Sequence, residues 1–79
     1  MDRICSLFGK RLRDLRKGRG WSQEKLAERS DLDSTYIGGI ERGRRNPSLV
    51  SLAKLARALI ISLPDLLLVP IDLGDKQND

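Results

Sequence analysis

An all-α fold of five short helices is what this sequence predicts, and three observations predict it. Apolar side chains recur at helical spacing along most of the chain. No stretch alternates apolar and polar residues at the two-residue period of a strand. Residues that start or stop helices stand at the borders of each apolar run.

The first helix is expected over residues 3–18. Ile4, Phe8, Leu12 and Leu15 form one apolar stripe, with Lys10, Arg11, Arg13 and Lys17 on the other face. Gly18 and Gly20 end it, because glycine accepts the left-handed conformation at a helix C-terminus. Ser22 is then an N-cap for a second helix, Gln23 to Ser30, with Trp21 and Leu26 at the two positions of a hydrophobic staple. Asp31-Leu32-Asp33 reads as a turn. Asp33 caps a third helix from Ser34 to Arg42 in which Tyr36, Ile37 and Ile40 supply the apolar spacing, and Gly43 stops it. Arg44-Arg45-Asn46-Pro47 is an extended polar loop, since a residue before proline avoids helical angles. Ser48 caps a fourth helix carrying Leu49, Leu52, Leu55, Ala56 and Leu59. Ser62-Leu63-Pro64-Asp65 opens a short fifth helix running to about Val69, with Pro70 as its breaker.

At 79 residues the chain is expected to hold one domain, residues 1–70, followed by a short acidic tail, 71–79. Its one cysteine cannot form an intrachain disulfide, which suits a reducing, cytoplasmic setting. Histidine is absent, so the commonest general base and metal ligand are missing; no metal site, cofactor or catalytic group is expected. No apolar run approaches a membrane span and no signal-peptide pattern opens the sequence. Charge is uneven. Fourteen basic against seven acidic side chains give +7 through Arg57, and the remainder carries −3. The basic portion is the candidate for a polyanion.

Two short helices joined by a tight turn, the second polar at its start, form a helix-turn-helix. A recognition helix enters the major groove N-terminus first, so Ser34, Thr35 and Tyr36 are the candidates for base contacts. Tyr36 is equally open to a half-buried packing role. Gln23, at the start of the second helix, is placed to bond a phosphate with help from the helix dipole. Gly38 and Gly39 are unusual in mid-helix and admit two explanations, close approach of bare backbone to DNA or simple tolerance. The apolar excess of the fifth helix, Leu63, Leu66, Leu67 and Val69 with Ile61, Leu68 and Ile71, suggests an interface with a second copy.

The run Gln23-Glu24-Lys25-Leu26-Ala27-Glu28-Arg29-Ser30-Asp31-Leu32, then Thr35-Tyr36-Ile37-Gly38-Gly39-Ile40-Glu41-Arg42-Gly43, resembles the Cro/phage-repressor class of helix-turn-helix domains. The match extends through Arg44-Arg45-Asn46-Pro47-Ser48-Leu49 and spans about residues 7–68. Thr35-Tyr36-Ile37, Ile40-Glu41-Arg42-Gly43 and Asn46-Pro47-Ser48 are further similar to controller proteins of restriction–modification systems. The resemblance implies a homodimeric, sequence-specific transcriptional regulator on a palindromic promoter operator, free-standing rather than part of an enzyme. Its partners would be double-stranded DNA, a second copy and RNA polymerase, with no membrane. The host would be a bacterium or phage, the protein cytoplasmic and on the nucleoid when bound. The resemblance also implies a partly buried ion pair between Arg16 and Glu41, and phosphate contacts from Arg45 and Asn46, with Arg42 and Arg44 beside them. Two departures stand out: Asp31 replaces the turn glycine of the class, and Ser34 stands where controllers usually carry arginine. An antitoxin or small phage repressor would share most of these residues, and an adaptor that keeps the fold without reading DNA is a third reading.

Overall fold

A computed structural model describes residues 2–70. Its helices are α1 (Arg3–Gly18), α2 (Gln23–Ser30), α3 (Ser34–Glu41), α4 (Leu49–Leu59) and α5 (Leu63–Leu66). α1 packs on α3, α2 lies against both α3 and α4, and α5 closes on α4. The core between them is Phe8, Leu12, Leu26, Ala27, Ile37, Ile40, Leu55, Ala56, Leu59 and Leu66. The acidic tail and Ile71 lie outside the described residues. Among the described residues, no helix is long and apolar enough to cross a membrane.

Capping follows the serines and aspartates. Ser22, Asp33, Ser48 and Ser62 each accept a backbone N–H in the first turn of α2, α3, α4 and α5. The ends of the first four helices share one solution: a residue at positive φ, followed by an N–H that reaches back five residues to a helix carbonyl. Gly20 and Gly43 fill that position without strain, and Asp31 (φ 60°) fills it after α2, as the turn reading required. After α4 the position falls to Ile60 (φ 56°), a β-branched residue in a conformation such residues avoid. Nothing in the sequence pattern marks it.

Three expectations need correction. The apolar stripe of α1 turns by one residue at its start: Ile4 is exposed and Cys5 is buried in its place. Leu49, counted on the apolar face of α4, points outward together with Val50. The fifth helix ends at Leu66 rather than near Val69, because Pro70 in a continuing helix would drive its ring into the Leu66 carbonyl.

α1 approaches α3 at Gly9, a position the sequence reading passed over. A Cβ built there would lie 2.4 Å from the Ile40 carbonyl oxygen and 2.6 Å from that of Glu41. Only a glycine lets α1 sit this close to the end of α3. Arg11 ties the other side, donating from Nη2 to the Asp65 carbonyl in α5 at 2.6 Å. Arg19 donates to the Leu59 carbonyl at the end of α4.

Candidate nucleic-acid interface

α3 presents its first turn outward. Asp33 Oδ2 accepts from the Thr35 N–H at 2.9 Å, which fixes the start of the helix. Thr35 is exposed and Ser34 half-buried, so both hydroxyl-bearing side chains stand at the open end of α3. Tyr36, grouped with them by the sequence, is committed inward. Its ring packs against the core, its hydroxyl donates to Ser51 Oγ at 3.2 Å, and the Ser48 N–H reaches that hydroxyl at 3.4 Å. The packing role left open for Tyr36 is the one the fold gives it, although the ring remains partly exposed.

Behind this turn lies the ion pair. Arg16 Nε donates to Glu41 Oε2 at 2.7 Å and Nη2 to Oε1 at 3.0 Å, a bidentate pair. Arg16 Nη1 also donates to the Trp21 carbonyl at 2.7 Å. The pair therefore joins α1, the turn before α2 and the end of α3. Its hydrogen bonds to Glu41 hold the Arg16 guanidinium above its ordinary pKa, against an opposing effect of burial. Gln23 completes the cluster, donating from Nε2 to Glu41 Oε1 at 3.1 Å. One of the two N–H groups of the amide expected to bond a phosphate is thus engaged.

Next to this cluster is a polar cleft of about 260 Å³ lined by Arg13, Arg16, Gln23, Glu41 and Arg42. Arg16 neutralises Glu41, while Arg13 and Arg42 make no ion pair among the described residues. The cleft is therefore cationic. Arg13 had no distinguishing mark among the basic residues of α1; only the crossing of α1 over α3 brings it here.

Arg44 and Arg45 follow on the loop after α3, both exposed. Asn46 separates from them: it stands at the lip of an apolar groove of about 290 Å³ formed with Ile4, Cys5, Phe8, Pro47, Leu52, Leu67 and Val69. This groove corrects the interface residues expected on α5. Leu66 is 0% exposed and belongs to the monomer core, and Leu63 packs partly against that core. Leu67 is 42% exposed and Val69 partly so, and Leu68, Leu49 and Val50 are exposed as well. The four-residue α5 turns Leu66 inward while the next two leucines remain outside.

The helix-turn-helix family model matches residues 12–66. The chain is 48% identical over 65 residues to the control protein C.BamHI of Bacillus amyloliquefaciens, covering 81% of this chain and 80% of that protein. It is 46% identical to the control protein C.MunI of a Mycoplasma species, covering 84% and 90%. Among solved structures, the restriction–modification controller protein C.AhdI from Aeromonas hydrophila superposes with a TM-score of 0.77 at 55% identity, covering 78% of this chain and 94% of that one. The outward first turn of α3, the arginines beside it and these likenesses agree: the chain belongs to the helix-turn-helix family and is a DNA-binding transcriptional regulator, related to the restriction–modification controller proteins.

Proposed function

We propose that the protein works as a homodimer that occupies a two-fold-symmetric operator at a promoter, in the manner of a restriction–modification controller. The observation that carries this reading is the exposed Thr35 at the first turn of α3 in company with four arginines, Arg13 and Arg42 at the cleft and Arg44 and Arg45 on the loop after α3, that make no ion pair among the described residues. Thr35 and Ser34 would touch base edges, and the flanking cations would hold phosphates of the two strands. Gln23 braces Glu41 with one amide N–H and would offer the other to a phosphate. Asn46 lies toward the groove and the second copy.

The groove and the exposed Leu49, Val50, Leu67 and Leu68 support self-association, since an apolar area of this kind is costly to leave in water. A symmetric pairing through it would present two recognition helices to one face of the duplex. At a promoter such an occupant meets RNA polymerase, and recruitment or exclusion of the enzyme sets the sign of regulation. The work would be done in the cytoplasm, on nucleoid DNA.

Selection of duplexes from a random-sequence pool, followed by footprinting, tests the proposal. Two protected half-sites related by a dyad, with centres about 34–36 Å apart, are expected. Protection of one asymmetric half-site, or equal affinity for every duplex, would overturn it.

A further inference from the structure

We infer that Gly39 is a positioning residue for DNA binding: by lacking a side chain it opens the track along which Arg45 reaches back across α3. The inference rests on the reading of α3 and its loop as the DNA-binding surface.

Arg45 begins in the loop beyond α3, yet its side chain lies against the helix. A Cβ built on Gly39 would be 2.7 Å from Arg45 Cγ, with Nε and Cδ at 3.6 and 3.7 Å. Cγ is the root of the side chain, so a methyl group at residue 39 cannot be avoided by moving the tip; χ1 of Arg45 or the loop itself must change. Further along, the guanidinium carbon stands 6.0 Å from the centroid of the Tyr36 ring, within reach of cation–π attraction. Gly39 and Tyr36 are three residues apart and share a helix face. The arginine therefore runs from the middle of α3 toward its first turn, and its charge arrives over the ring of Tyr36, the residue after Thr35. A backbone bond fixes the register, the Arg44 N–H donating to the Gly39 carbonyl at 2.8 Å.

This arrangement replaces both earlier explanations of the glycine. Gly39 is itself buried under Arg45, so its backbone is not open to a groove. Mere tolerance leaves unexplained why a residue unfavourable in a helix coincides with the arginine's path. Gly38 provides the contrast: a Cβ there meets only the side-chain ends of Arg42 and Gln23, at 3.2 and 3.3 Å.

A double-mutant cycle tests the inference, read as affinity for the duplex that the wild-type protein selects from a random pool and as Tm. Gly39→Ala is expected to lower affinity by about fivefold to tenfold, as for residues in direct contact, with Tm unchanged or raised. In an Arg45→Ala background the same change should alter affinity by less than about twofold. A full penalty from Gly39→Ala in the Arg45→Ala background would mean that the methyl group meets DNA directly, and no penalty in the wild type would mean that Arg45 needs no track; either overturns the inference. Should Gly39→Ala lower Tm, the Arg45→Ala background decides, because a clash with Arg45 must vanish there and a structural defect must persist. Failure of the wild type to bind any duplex would instead sink the DNA-binding reading beneath it, while the Tm cycle would still report on the contact.

Discussion

Arg16 and Glu41 stand 25 residues apart in the chain and meet in two charge-assisted hydrogen bonds of 2.7 and 3.0 Å. Their side chains are only 10% and 3% exposed, so the pair is a joint between α1 and the end of the recognition helix rather than a surface contact. It ties the C-terminal end of α3 to α1 and, through the Trp21 carbonyl, to the turn before α2.

Glu41→Ala leaves the Arg16 charge buried without its partner. A loss of about 3 kcal/mol in urea unfolding is expected. Because the folded-state pKa of Arg16 is raised above the unfolded one, its contribution is fully present at lower pH and fades only as pH rises through the folded value, in strong alkali. The Arg16 contribution should therefore be constant from mildly acidic to mildly alkaline buffers. A loss below about 1 kcal/mol would show the pair to be well solvated.

Thr35 and Tyr36, neighbours on α3, should behave oppositely. Thr35→Ala is expected to cost about 1–3 kcal/mol on the preferred operator and to leave nonspecific binding and Tm alone. Tyr36→Phe removes the bond to Ser51 Oγ, so it should cost about 1 kcal/mol of stability and leave the ratio of specific to nonspecific affinity unchanged. A change in that ratio for Tyr36→Phe would place the hydroxyl on DNA.

Adjacent leucines separate folding from assembly. Leu66→Asp puts a charge into the core and should prevent folding, seen as loss of the helical circular dichroism signal. Leu67→Asp should fold normally and sediment as a monomer, with the wild type sedimenting as a dimer under the same conditions. A Leu67→Asp protein that stays dimeric would move the interface elsewhere.

Arg13 is expected to hold a phosphate through the cleft it shares with Arg42. Arg13→Gln should weaken binding to selected and mixed-sequence duplexes alike and reduce the log–log salt slope by about one unit. An unchanged slope removes Arg13 from the contact surface.

Ile60 offers a gain. It is 79% exposed and sits at φ 56°, so Ile60→Gly loses little burial and relieves the left-handed strain. Stability should rise by about 1 kcal/mol in thermal unfolding, with DNA affinity untouched.

Much of this molecule was legible in the sequence because its signals are local. Capping by Ser22, Asp33, Ser48 and Ser62 depends on residues at most three positions away, and the structure has all four caps. Helical period and the glycines at 20 and 43 bound the first three helices within a residue, and the Arg16–Glu41 pair followed from a resemblance carried by contiguous motifs.

What only the tertiary structure decided are the relations between elements, which no local spacing encodes. The one-residue turn of α1 that buries Cys5 and exposes Ile4 depends on where α1 meets α3, and Gly9 matters only because two carbonyls stand over it. Arg13 joins the cationic cleft at α3, and Arg11 does not, because α1 turns Arg11 toward the Asp65 carbonyl of α5. Period alone could not tell Leu66 from Leu67, since in a helix of one turn both follow the same apolar run; contact with α4 buries the first and leaves the second outside. The path of Arg45 over Gly39 is likewise invisible in the chain's order, because it arises where a loop folds back on the helix it has just left.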